Sequence, residues 1–149
     1  MALIYFRKSS ALYHADADAI VLRFDRPRPR EKLQQIQADV ICEVDRAGEL
    51  VRVLVLDHKR LRLGLLLAHF TPMDASTTPG WGCVTYDPGA RLAAFYLVTP
   101  EENAAVETAS RRAVCEIDAA GRLLSIVIPV SGRRGEITLR RVTARLPGI

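Results

Sequence analysis

A chain of 149 residues, 49% hydrophobic and 26% charged, is long enough for one domain or two small units sharing a core, and too apolar to be a disordered tail. Its longest apolar run, residues 63–70, falls well short of the roughly 20 needed to span a bilayer, and Ala2–Phe6 is too short for a signal-peptide core, so a cytoplasmic protein with no membrane partner is expected. The net charge of +4 is localised: residues 130–149 carry five arginines against Glu136 alone, which accounts for the whole excess.

The stretch from Cys42 to Leu50, CEVDRAGEL, returns as CEIDAAGRL from Cys115 to Leu123, 115 − 42 = 73 residues later. The same offset aligns Tyr13 with Tyr86, Ala17 with Ala90 and Pro27 with Pro100 without a gap. Such self-similarity reads as a tandem duplication, with unit boundaries at 1–73 and 74–149 inside one globule.

In chain order, Ser10 to Tyr13 and Asp18 to Phe24 read as two strands joined by the polar turn His14-Ala15-Asp16-Ala17. The counterpart turn, Tyr86-Asp87-Pro88-Gly89, suits a type II turn with glycine at the position of positive φ. Pro27 and Pro29 favour an extended loop; residues 31–37 are compatible with either a helical turn or a strand. Thr99, Pro100, Glu101 and Glu102 carry an N-cap, a first-turn proline and a capping box, which predicts a short helix over 100–109.

Val40, Cys42 and Val44 alternate with Ile41, Glu43 and Asp45, and Ala113, Cys115 and Ile117 repeat the pattern. Each strand is followed by a three-residue hairpin with a bulge, Asp45 to Gly48 and Asp118 to Gly121, then by return strands Leu50 to Leu56 and Leu123 to Ile128, with Arg52 and Ser125 on their wetter face. Residues 57–70 admit a helix capped by Asp57 or a closing strand; an offset of 76 aligning Leu61, Leu63 and Phe70 with Ile137, Leu139 and Leu146 favours the strand. Thr71 to Gly82 is the linker.

The segment Tyr13-His14-Ala15-Asp16-Ala17-Asp18-Ala19-Ile20-Val21-Leu22-Arg23-Phe24 resembles the opening of a small bacterial family, domain of unknown function 2283, and Tyr86-Asp87-Pro88 resembles it again. Asp45 to Gly48 and Leu56 to Leu61 are similar to its later turn and ending. The second copy departs from it at Ala90-Arg91-Leu92, and both copies depart in the last strand. The resemblance implies a fold, transfers no active site, and suggests that single-copy relatives pair as dimers.

Three chemistries are open to these residues, each weighed against a plainer role. Duplicated Cys42 and Cys115 lie on apolar strand faces, where cysteine behaves as a small hydrophobe; Cys83 has no copy and is read as structural. His14, Asp16, Asp18, Glu43 and Asp45 are the candidate ligands of a hard cation such as Mg²⁺ or Ca²⁺, or an acid/base pair, against the alternative of turn-forming and solvated carboxylates.

Arg133, Arg134, Arg140, Arg141 and Arg145 are the candidate nucleic-acid contacts, but no aromatic residue accompanies them in residues 130–149. Trp81, Tyr86 and Tyr96 either line a small-molecule cleft between copies or fill the junction. No Gly-rich phosphate loop, G-x-S-x-G or HExxH is present, so no cofactor is expected.

The expected architecture is α+β and mainly β: two tandem, pseudo-twofold-related antiparallel β units packed face to face, with a few short helices. The expected function is a non-enzymatic binding or regulatory module acting through protein contacts, with an unidentified protein or a second copy as partner. The alternatives are nucleic-acid binding through the C-terminal arginines and a metal-dependent hydrolase at the acidic cluster.

Overall fold

The computed structural model describes residues 3–7, 10–46, 49–74, 76, 80, 82–97 and 107–131. Period-two alternation dominates these segments and gives ten strands: β1 Leu3–Phe6, β2 Ser10–His14, β3 Ala19–Arg23, β4 Gln34–Val44, β5 Leu50–Leu56, β6 Thr71–Pro72, β7 Cys83–Asp87, β8 Leu92–Tyr96, β9 Glu107–Ile117 and β10 Leu123–Pro129. One helical turn, α1 Leu63–Leu67, interrupts them. The strands make one antiparallel sheet in the order β2-β3-β10-β9-β4-β5-β8-β7-β1-β6.

The long pair β4·β9 is the middle of the sheet. Ile36, Ala38, Val40, Cys42 and Val44 point into the core while Gln35, Gln37 and Asp39 face out, so the choice left open at 31–37 resolves as strand from Gln34 onward. The sheet curls until its outer parts meet: the Phe24 ring, just past β3, lies 5.5 Å from that of Phe95 on β8 and 5.5 Å from Phe70. One continuous apolar core results, each fully buried Ile, Leu or Val stabilising it by about 1.5–3 kcal/mol.

The ladders correspond across the chain. Cys42 pairs with Val53, and Cys115 with Ile126; Tyr13 pairs with Ile20, and Tyr86 with Ala93; Arg52 pairs with Tyr96, and Ser125 with Arg23. Both long hairpins bulge at one place, skipping Val51 and Leu124, and both turns close by the same backbone bond, Asp45 N–H to the Glu49 carbonyl and Asp118 N–H to that of Arg122, each 3.0 Å. At the centre of β4·β9, Asp39 faces Arg112.

These pairings do not form two separate units laid face to face. β3 joins β10 and β8 joins β5, so strands from early and late in the chain interleave in one sheet.

Four expectations change. Residues 57–70 form no closing strand: Leu63, Leu66 and Leu67 turn inward at helical spacing, and Gly64 packs flat on Tyr86, whose ring would lie 3.6 Å from a Cβ there. Asp57 fixes this turn, accepting from the Leu63 N–H at 3.0 Å and the Tyr86 hydroxyl at 3.1 Å. Of the helix expected over 100–109, residues 107–109 belong to β9 and the rest lies outside the described residues.

Gly89 does not take positive φ; the left-handed position is occupied by Arg91, φ 54°, as by Asp18, φ 47°, in the first hairpin. Asp87 instead accepts the N–H groups of Gly89 and Ala90. Ser125 is buried, its hydroxyl donating to Glu116. Gly121 does take φ 83° as its turn chemistry requires.

Candidate binding groove

The carboxylates singled out in the sequence have protein partners or face solvent. Glu43 is buried against Arg52, whose Nη2 approaches to 2.6 Å while Nε bonds both carboxylate oxygens at 3.1 Å; the Arg52 guanidinium also lies over the Tyr96 ring at 5.5 Å. Asp45 accepts the Glu49 N–H at 3.0 Å. Asp18 accepts from the Tyr13 hydroxyl at 2.8 Å and from Ser131 at 3.1 Å, while His14 and Asp16 are exposed in the turn. Among the described residues no three His, Cys, Asp or Glu side chains come together as a metal ion would require. Arg133, Arg134, Arg140, Arg141, Arg145 and Trp81 lie outside the described residues.

Cys42 and Cys115 are fully buried, and burial pushes each thiol up to about 12, with Arg111 drawing Cys42 down slightly. A thiol so placed is a poor nucleophile. Tyr86 belongs to the core and Tyr96 is half-buried; the space between the halves, lined by Ser10, Leu22, Phe24 and Phe95, holds only about 10 Å³. Sequence reasoning passed over Arg111, an inward-facing position on β9: it is buried, and its guanidinium donates to the carbonyls of Ser110, Pro129 and Val130.

A polar concave surface lies on the outer side of β4. β4 has 11 residues and β5 only seven, and their pairing covers Val40 to Val44, so Gln34 to Asp39 form a shoulder with β9 on one side and no strand on the other among the described residues. The chain leaving β5 passes this shoulder through Asp57 to Arg60. Together they bound a groove of about 600 Å³ lined by Gln35, Gln37, Asp39, His58, Arg60 and Arg112, with Ile36 and Val114 at its floor.

His58 pins the groove. Its Nε2 lies 2.8 Å from the Gln37 carbonyl and its Nδ1 accepts the Arg60 N–H at 3.3 Å. In an antiparallel strand the N–H and C=O of one residue point the same way, so Gln37 directs both toward the groove. Arg60 and Arg112 are exposed, and among the described residues neither forms an ion pair; Arg112 makes none even with Asp39 directly across the ladder.

Residues 11–59 match the model of a family described as protein of unknown function, DUF2283. The matched segment runs from β2 through β5 and includes Gln35, Gln37, Asp39 and His58. No curated protein and no solved structure matches the chain. No helix among the described residues is long and apolar enough to cross a membrane.

Proposed function

We propose that this chain is a non-enzymatic interaction module, built by tandem duplication of one β unit (1–73 and 74–149), that holds an extended segment of a protein partner along the shoulder of β4. The observation that carries this reading is the bond from His58 to the Gln37 carbonyl: it marks a strand edge whose main-chain groups face a groove instead of a neighbouring strand. Strand addition to such an edge is a general mode of peptide recognition, in which main-chain bonds supply affinity and flanking side chains supply selectivity.

The duplication is supported by ladders that repeat at an interval of 73 residues and by their exchange between halves. A unit like residues 11–59 on its own leaves β3 without the strand that β10 provides here, and a second copy supplies that strand. In this chain the second copy is covalently attached.

The reading is tested by a photo-crosslinking amino acid placed at Gln37 and, separately, at Asp16 in the exposed β2–β3 turn. A single adduct to one protein from native extract at position 37, absent at position 16, is the expected result. Equal labelling at both positions, or none at 37, rejects the groove as the contact surface.

A further inference from the structure

Granting that the groove takes an extended segment, we infer that the segment is acidic, with a carboxylate side chain held between Arg60 and Arg112. The arginines placed on the folded sheet elsewhere illustrate the alternative: Arg52 is held by Glu43 and Arg122 by Asp118. Arg60 and Arg112 line one groove, and among the described residues neither is paired with a carboxylate. His58 has both ring nitrogens engaged within the protein. The groove therefore has two guanidinium groups against one carboxylate, Asp39, and is short of one negative charge.

The spacing suits a strand laid beside β4. Neighbouring strands lie roughly 4.8 Å apart, and an extended arginine side chain, at about 7 Å, spans more than one such interval. Arg112 on β9 thus reaches over β4 toward the added strand while Arg60 approaches from the far wall. A carboxylate on the outward face of the incoming segment receives planar, bidentate donors from either side, the geometry in which arginine is most selective. A lysine there would meet two like charges. The amides of Gln35 and Gln37 remain to bond the neighbouring main chain or a second acid.

The probes are three capped heptapeptides that alternate valine with glutamate, glutamine or lysine, added to the full chain and followed by amide chemical shifts and hydrogen exchange. The glutamate peptide is expected to protect the outward amides of Gln35, Gln37 and Asp39 and to bind at least tenfold more tightly than the lysine peptide, with the preference falling as salt rises. Arg60→Gln with Arg112→Gln should remove about tenfold of that preference while leaving the melting temperature unchanged, since neither guanidinium forms an ion pair among the described residues. If the glutamine and glutamate peptides protect these amides equally, the acidic assignment is wrong and strand addition stands. If none of the three protects them, strand addition itself fails.

Discussion

Alkali should unfold this protein through two buried thiols, Cys42 and Cys115. Burial pushes Cys42 and Cys115 up to about 12 from an ordinary 9.0. The unfolded chain gives up these protons near pH 9 while the native state keeps them. Between those limits the unfolded state binds fewer protons, and stability falls as pH rises. The contribution is intact below about pH 9 and gone by about pH 12. At about 1.4 kcal/mol per pH unit, three units give about 4 kcal/mol per thiol as an upper bound, comparable to the whole stability of roughly 5–15 kcal/mol of a domain this size.

Urea unfolding at pH 8, 9, 10 and 11 measures the slope directly. The double variant Cys42→Ala, Cys115→Ala should start about 1–3 kcal/mol lower from lost packing, then decline much less steeply, crossing the parent above pH 9. Tyr86, whose hydroxyl is raised by burial and then by its bond to Asp57, steepens both curves equally. Parallel curves for parent and variant would refute thiol burial as the cause. The same shift leaves about 10⁻⁴ of each thiol ionised at pH 8, a thousandfold less than an exposed cysteine, so native protein should label at these positions only after unfolding.

Arg52→Ala strands the buried Glu43 carboxylate and should cost about 2 kcal/mol, the figure for a broken buried pair reduced because Arg52 keeps part of its surface in water. Adding Glu43→Gln should restore part of that loss in urea titration; no recovery would show that the packing of Arg52 over Tyr96 matters more than its charge. For Asp118, burial pulls the carboxyl up but bonds from the Arg122 backbone and guanidinium outweigh it and hold it low. Its contribution is therefore present above about pH 4 and fades on acidification, and Asp118→Ala should lose about 1–2 kcal/mol at pH 7 while flattening the acid limb of a thermal melt series. Millimolar Mg²⁺ or Ca²⁺ should leave the melting temperature unmoved; a rise would bring back the cluster of His14, Asp16, Asp18, Glu43 and Asp45 as a cation site.

The hairpins were legible because their determinants are local. Asp118, two alanines and Gly121 specify a bulged turn within a few residues, and Gly121 has the positive φ and the neighbouring register shift that this chemistry demands. Alternation placed Cys42 and Cys115 in the core for the same reason. Where two local signals competed, tertiary contact decided: the apolar residues of 61–70 fit strand and helix alike, and what selects the helical turn is Asp57 anchoring Leu63 while Tyr86, from the other half, presses on Gly64. Ser125 misled in a simpler way: it read as a wet position, yet Glu116 satisfies its hydroxyl, and Arg111, passed over in the sequence, is buried because the carbonyls of Pro129 and Val130 satisfy its guanidinium.

The groove was illegible for a structural reason. Alternation says which side of a strand faces solvent but not which strand lies beside it, and β3·β10 joins residues about a hundred positions apart. Gln35, Gln37 and Asp39 therefore look in sequence like the ordinary outer face of a paired strand. They become an open shoulder only because β5 stops at Leu56 while β4 extends beyond their last pair, and because the chain turns at Asp57 instead of continuing along β4. Asp57, just past β5, also anchors the turn and accepts from the Tyr86 hydroxyl. Lengthening β5 by replacing Asp57 and His58 with valines should cover the shoulder, protecting the Gln37 amide in the free protein and removing peptide binding by the same substitution.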